Sequence, residues 1–171
     1  SFGQPIAAAE SIKHAFSLHI CQAVQKMRQE GQVCQQLLLF LKWQTTKPTF
    51  QQHYQQQKLT LQQPTADSSK ILQHVLPQLN IIQPKRYYHG AGVTLLDLQN
   101  KTRCQLDLLQ SPDSSISATL MDQIQQKYGN HSLFLAASHP NHPAYQWRPK
   151  LQKKSPAYTS KWAEILRVSA S

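Results

Sequence analysis

The chain has 171 residues, 40% of them hydrophobic, and 18 Lys and Arg against 8 Asp and Glu give a formal net charge of +10. The length fits one domain of about 100 residues with a small second unit, and the basic excess indicates a polyanionic partner, usually nucleic acid, although an ordinary basic soluble protein has the same composition. The three Cys residues form no CxxC pair and the longest apolar run spans residues 37–41, which argues against a disulfide framework, a zinc site and a transmembrane segment.

The first hundred residues alternate between strand and helix patterns. Apolar residues recur every three or four positions across 10–29, which predicts an amphipathic helix ended by Gly31. The apolar run in 33–43 predicts a buried strand, and the alternation in 55–62 predicts a half-buried one. Asp67 is placed to cap a second helix that Pro77 ends. A short extended segment at 1–6 and a last strand at 87–98, with Val93 and Leu95 on one face, complete the order.

This β-α-β-β-α-β order predicts an α+β fold in which a four-stranded antiparallel sheet carries two helices on one face. The following residues predict a linker at 101–115, then a helix at 116–128 and a strand at 131–138, which form a small α+β extension with a basic tail. We therefore expect three parts: a domain at 1–100, the linker, and a C-terminal unit at 116–171. The layout alone does not assign function, but the aromatic signature of an RNA-recognition module is missing from the strands.

Three stretches resemble parts of one protein family. Residues 1–4, Ser-Phe-Gly-Gln, are similar to the opening of the little-finger domain of Y-family translesion DNA polymerases, and residues 88–95 are similar to its last strand. Residues 155–160 and 166–168 resemble the tail of the UmuC type, the catalytic subunit of bacterial polymerase V. The resemblance, together with the missing initiator Met, implies a C-terminal fragment that holds the little finger and the UmuC-specific tail.

In that family the little finger grips template-primer DNA, mostly through phosphates, which need only donors and positive charge. His89 stands where the family often has a basic residue, and each candidate could instead be an ordinary solvated side chain. The resemblance implies DNA contacts at Gln4, Lys42, Gln44, Lys58, Lys85, Arg86 and His89.

The linker contains a pentapeptide that resembles the one by which bacterial polymerases dock on the sliding clamp. Gln105 would meet a polar subsite, Leu106, Leu108 and Leu109 would enter a hydrophobic groove, and Asp107 would stay exposed. Leu109 stands where family peptides usually have Phe. The alternative is an amphipathic strand extension that packs on this protein's own core.

The acidic residues are scattered, whereas two-metal nucleotidyl transfer needs clustered carboxylates. We therefore expect no polymerase activity and no cofactor in this part of the protein, with Mg²⁺ serving the full-length enzyme. His139 and His142 have no further ligand nearby and predict a surface turn rather than a metal site.

The resemblance also implies a UmuD-type subunit and RecA as partners, no membrane association, and a bacterial cytoplasmic location in SOS DNA repair and mutagenesis. A different class of function remains open: a protein-interaction platform for such regulators, with little DNA contact.

Overall fold

A twisted sheet with helices on one face organises the protein, as seen in a computed structural model that describes residues 1–44, 52–103, 116–129, 132–139 and 147. The elements follow in the order α1 (Ala9–Gln29), β1 (Gln32–Gln44), β2 (Gln52–Thr65), α2 (Ser68–Val75), β3 (Tyr88–Asn100) and α3 (Ile116–Tyr128), with short 3₁₀ turns at Leu76–Gln78, Lys101–Arg103 and Ala136–Ser138.

Helix α1 matches the helix predicted at 10–29. Its buried stripe includes Ile12, Phe16, Ile20 and Val24, which recur at the spacing of one helical face. The helix ends at Gln29, and Gly31 turns the chain away from it. The φ of Gly31, +68°, lies in the left-handed region where a residue without Cβ carries no steric cost, and its N–H donates to the carbonyl of Arg28.

The strands form an antiparallel sheet in the order β2-β1-β3 within the described residues. The predicted strands at 33–43, 55–62 and 87–98 are confirmed, and each is longer than the sequence pattern indicated. The order follows from the connections: a hairpin joins β1 to β2, and α2 carries the chain across to the far side of β1, where β3 pairs.

The prediction of a strand at 1–6 was wrong, because the sheet of the described residues has three strands and not four. Ile6 forms an isolated bridge with Tyr88, with N···O distances of 3.0 and 2.8 Å. Pro5 has no N–H to offer a ladder, and the N–H of Gly3 donates to the carbonyl of Trp147 instead. The segment therefore lies along the outer edge of β3 without becoming a strand, while the predicted α+β architecture is confirmed.

Helix α2 begins and ends as its sequence predicts. The side chain of Asp67 accepts a hydrogen bond of 2.8 Å from the N–H of Ser69, which satisfies one of the donors that the first turn leaves open. Pro77 lies in the 3₁₀ turn Leu76–Gln78 that closes the helix. Both α1 and α2 pack on the same side of the sheet.

The core lies between these helices and one face of the sheet, the helix face. Leu37, Leu39 and Leu41 of β1 are fully buried there. Leu38 and Phe40 alternate with them, point to the other side and are only partly buried. The sequence interpretation of β1 as a buried strand was therefore right for one face and wrong for the other.

The C-terminal segment packs on the outer side of α1. Arg28 of α1 forms a two-pronged ion pair with Asp122 of α3 at 2.7 Å for both contacts. Gln25 donates to Gln125 at 2.9 Å, and Gln125 in turn donates to the carbonyl of Leu133 at 2.6 Å. The helix predicted at 116–128 is thus confirmed and joined to α1 by polar contacts.

The strand predicted at 131–138 is wrong for the residues described there. Residues 133–135 have no strand pairing, and Ala136–Ser138 form a 3₁₀ turn. The carbonyl of Leu135 accepts from both the N–H and the hydroxyl of Ser138, so this local turn takes the place of a ladder.

Trp147 is buried against the outer side of α1, where it is only 4% exposed. Its ring packs edge-on against Phe2, and its indole N–H donates to Nδ1 of His14 at 3.2 Å. The Nε2 atom of His14 lies 3.0 Å from the carbonyl of His139. Since Nδ1 accepts and Nε2 must donate, His14 is neutral in this arrangement.

Candidate nucleic-acid interface

The face of the sheet opposite α1 and α2, the open face, is built by every second residue of each strand. In an antiparallel pair, directly opposed residues point to the same side. The register of β1 with its two neighbours therefore shows which residues belong to the open face. Its positions are Gln36, Leu38, Phe40 and Lys42 from β1, Tyr54, Gln56, Lys58 and Thr60 from β2, and Gly90, Gly92, Thr94 and Leu96 from β3.

The charge of the open face has one sign. Lys42 and Lys58 are both exposed on it, and none of the positions that the register places there is acidic. Lys42 lies opposite Tyr54 and Lys58 lies opposite Leu38, so the two lysines are separated by four residues, about 14 Å along the strands. The other residues of the face supply hydroxyl and amide donors, which makes it suited to an anion that extends along the sheet.

Two aromatic rings accompany Lys42. The ring of Phe40 lies against the backbone of Gly92, where a Cβ atom would overlap it. The ammonium of Lys42 lies 5.6 Å from the centroid of the Phe40 ring and 5.2 Å from that of Tyr54, within the range of a cation–π interaction. Glycine at 92 thus lets an aromatic ring lie close to the sheet beside a cation.

Arg86 occupies a different place. Its guanidinium lies 4.2 Å from the centroid of the Trp43 ring, which also stacks on His53 and meets Tyr88 edge-on. Trp43 continues the alternation of Leu37, Leu39 and Leu41 and therefore belongs to the helix face at the end of the sheet. Arg86 is half-buried there, with its planar group against an aromatic plane.

The loop before β3 is held in place by Tyr88. The phenol oxygen of this buried residue accepts from the N–H of Gln83 at 2.9 Å and lies 3.5 Å from the carbonyl of Ile81. Lys85 forms the turn with a φ of 61°, a left-handed conformation that is uncommon for a residue with a side chain, and it is exposed. The loop therefore presents a cation at the end of the sheet on a fixed backbone.

The remaining predicted contacts lie near that same end. Gln4 is exposed beside the outer edge of β3. His89 sits in a β-bulge, where β3 has one more residue than β1, and its carbonyl accepts from Phe2. Gln44 ends β1 opposite Gln52, and its side chain lies outside the described residues.

The structure thus divides the predicted DNA-contact set. Lys42 and Lys58 share the open face, whereas Arg86 lies on Trp43 on the other side of the sheet. Sequence reasoning missed Phe40 and Tyr54. The signal for Tyr54 was indirect: the alternation of Lys58, Leu59, Thr60 and Leu61, continued back along the strand, puts Tyr54 on the same side as Lys58.

The predicted clamp peptide, Gln105, Leu106, Asp107, Leu108 and Leu109, lies outside the described residues. The last described residues before the pentapeptide form the turn Lys101–Arg103. There the side chain of Asn100 accepts hydrogen bonds from the N–H and the hydroxyl of Thr102.

Across the described ranges, no three His, Cys, Asp or Glu side chains come together as a metal site would require. His139 is described and contributes its carbonyl to His14, while His142 lies outside those ranges. None of the helices in the described ranges combines the length and the apolar character needed to cross a membrane.

Comparison with known proteins assigns the chain to a family. Residues 1–108 match the impB/mucB/samB family C-terminal domain, and residues 118–168 match a domain of unknown function (DUF4113). The chain is 29% identical to Protein UmuC of Salmonella typhimurium over 98% of its own length and 40% of that protein. It is 26% identical to Protein SamB of Salmonella typhimurium and 28% identical to Protein MucB of Escherichia coli, in both cases over 96% of its own length and 39% of the relative. The chain spans about two fifths of these relatives, and it belongs to the impB/mucB/samB family, whose C-terminal domain it contains.

Proposed function

We propose that the chain is the DNA-gripping region of an error-prone translesion DNA polymerase that acts in SOS repair and mutagenesis. The observation that carries this proposal is the open face, where Lys42 and Lys58 stand among neutral side chains with no carboxylate at any position assigned by the register. A duplex presents phosphates at regular intervals, and a row of cations and amides on one face of a sheet binds them without sequence preference.

Further contacts would come from the end of the sheet. Lys85 and Gln4 are exposed there and can reach a phosphate beyond the strand ends. Arg86 and His89 are half-buried, so they are less accessible to an approaching polyanion than the two lysines are. Gln44 belongs to the same proposal at the end of β1.

The test is the affinity for a primer-template duplex. Replacing Lys42 and Lys58 by Gln removes two phosphate contacts, and at 0.1 M salt counterion release makes each worth roughly eightfold in affinity. We therefore expect a loss on the order of fiftyfold for the double variant. The matched control replaces Lys26 and Lys127, exposed lysines of α1 and α3, by Gln. It lowers the net charge by the same amount as the open-face variant. Equal losses in the two double variants would refute a specific role of the open face.

The pentapeptide Gln105–Leu109 is proposed as the sliding-clamp tether. Each Leu that enters a groove contributes roughly 1.5–3 kcal/mol, so the peptide alone binds weakly and acts together with the DNA contacts. Replacing Gln105, Leu106 and Leu109 by Ala should abolish clamp binding and leave DNA affinity unchanged. Retained clamp affinity in that variant would show that the pentapeptide is structural.

Nucleotide addition is proposed to reside in the remainder of the full-length polymerase, in the bacterial cytoplasm, with Mg²⁺ held there by clustered carboxylates. The donor set of the described residues does not fit such ions, since its acidic side chains are dispersed over separate elements. A primer-extension assay with this chain alone should show no incorporation.

A second candidate function, a platform for a UmuD-type subunit or RecA, is favoured by helix α3. Leu120, Ile124 and Tyr128 recur every four residues on it and are 52%, 38% and 67% exposed, which forms an apolar stripe. Replacing Leu120 and Ile124 by Ser should abolish capture of such a partner and leave DNA binding intact.

A further inference from the structure

We propose that Phe40 and Tyr54 form a stacking site for unpaired bases, so that the open face also binds single-stranded DNA. This inference rests on the proposed DNA-gripping function and adds the class of nucleic acid that the face accepts. Its basis is the placement of two aromatic rings and one cation on the open face, where none of the positions that the register assigns is acidic.

The two rings lie on neighbouring strands and within reach of one strand of nucleic acid. Lys42 is directly opposite Tyr54 and Phe40 is directly opposite Gln56, so Phe40 and Tyr54 are diagonal neighbours, about 7–8 Å apart at their Cα atoms. Aromatic residues on adjacent strands of an open sheet are how several single-strand-binding modules stack successive bases.

Both rings are available on the surface. Tyr54 is 53% exposed, which is high for an aromatic residue in a strand. Phe40 is partly exposed, and the Cζ end of its ring lies over Gly92, so the remainder of the ring can meet a ligand. The exposed part of each ring can therefore meet a base, next to the Lys42 ammonium.

Lys42 supplies the charge that such a ligand needs. In the free protein its ammonium lies 5.2 Å from the Tyr54 centroid and 5.6 Å from the Phe40 centroid. A phosphate that arrives between two stacked bases meets this cation, while Lys58 and Thr60 lie along the same strand for the next nucleotides. The face has lysines, glutamines and threonines around the rings, which matches a polyanion with flat bases better than an apolar protein surface.

The test compares the affinity of the chain for three probes: a short thymidine oligonucleotide, an abasic oligonucleotide of the same length, and a duplex. The two single-stranded probes carry the same phosphates and differ only in their bases. We expect the chain to bind the thymidine probe about tenfold or more tightly than the abasic one, because stacking on one ring typically changes affinity by that factor.

The variant Tyr54→Leu should remove most of this difference between the single-stranded probes and weaken duplex and abasic binding far less, and Phe40→Leu should act in the same direction. The control is Tyr128→Leu, another exposed tyrosine, which lies on α3 and should change nothing. Equal affinity of the unmodified chain for thymidine and abasic probes would overturn the stacking site without any variant being needed. Equal effects of Tyr54→Leu on all three probes would overturn it as well.

Failure of the stacking site and failure of the proposed function remain distinguishable. The variant Lys42→Gln with Lys58→Gln should weaken binding of all three probes, since each carries phosphates. If these lysine replacements act while the ring replacements do not, the DNA-gripping function holds and the stacking site is refuted. If the lysine replacements are silent, the proposed function itself is refuted.

Discussion

Replacing Asp122 by Asn tests how the C-terminal segment is joined to α1. The Asp122 carboxylate accepts two hydrogen bonds of 2.7 Å from Arg28, and the two side chains are only 20% and 12% exposed. The same guanidinium donates to the carbonyl of Ala66 at 2.7 Å and to the hydroxyl of Ser68 at 3.1 Å. Arg28 therefore connects three elements, and Asp122 neutralises its charge.

The expected cost follows from that geometry. Removing one partner of a buried ion pair costs about 3–5 kcal/mol when the remaining charge is left without compensation. Here Arg28 keeps two neutral acceptors and some contact with water, so we expect Asp122→Asn to lower the free energy of unfolding by about 2–3 kcal/mol. The variant Arg28→Met should cost more, because it also leaves the carbonyl of Ala66 without this donor.

Urea denaturation followed by circular dichroism measures both variants. The control is Glu10→Gln, which removes the exposed pair of Glu10 with Lys13 at 3.1 Å, where the side chains are 76% and 42% exposed. An exposed pair of this kind contributes about 0–1 kcal/mol. If Asp122→Asn were no more costly than Glu10→Gln, the reasoning about the joint between α1 and α3 would be refuted.

Three further outcomes are expected. Burial lowers the pKa of His19, which packs against Trp147, below its ordinary value of 6.5. The contribution of His19 to stability should therefore be constant above that pH and fall as the pH drops below it. His19→Gln should make the acid decline shallower in urea titrations, and an unchanged decline would contradict the assignment. Burial raises the pKa of the Cys34 thiol to about 11, so alkylation at pH 8 should be about two orders of magnitude slower than in the unfolded chain, and equal rates by mass spectrometry would refute the burial. Gly92→Ala should displace the Phe40 ring and lower the free energy of unfolding by about 1 kcal/mol. An unchanged urea midpoint would show that the position of the ring does not depend on this glycine.

The helices were predictable because their signals are local. The apolar stripe of α1, the Asp67 cap and the turn at Gly31 each lie within a few residues of the element they define. The strands β2 and β3 were also predictable, since alternation marks both of them. The first strand was not predictable, because whether Ile6 pairs beyond one bridge depends on the edge of β3 and on a hydrogen bond from Gly3 to Trp147.

The candidate site was only half accessible to sequence reasoning. The family resemblance, together with their charge, pointed to Lys42 and Lys58. The run of five apolar residues at 37–41 has no alternation, so nothing local indicates that Phe40 faces outward while its neighbours are buried. Arg28 and Asp122 are 94 residues apart, and no spacing rule connects them. These features depend on the packing of distant segments.

The most direct test of the central claim, that the open face grips DNA through phosphates, is the salt dependence of duplex binding. Each phosphate contact contributes about 0.9 to the slope of log K against log salt concentration. Relative to the unmodified chain, the double variant Lys42→Gln, Lys58→Gln should show a slope shallower by about 2. Replacement of Lys26 and Lys127 should leave the slope nearly unchanged. The same slope in the unmodified chain and in the open-face variant would contradict the account.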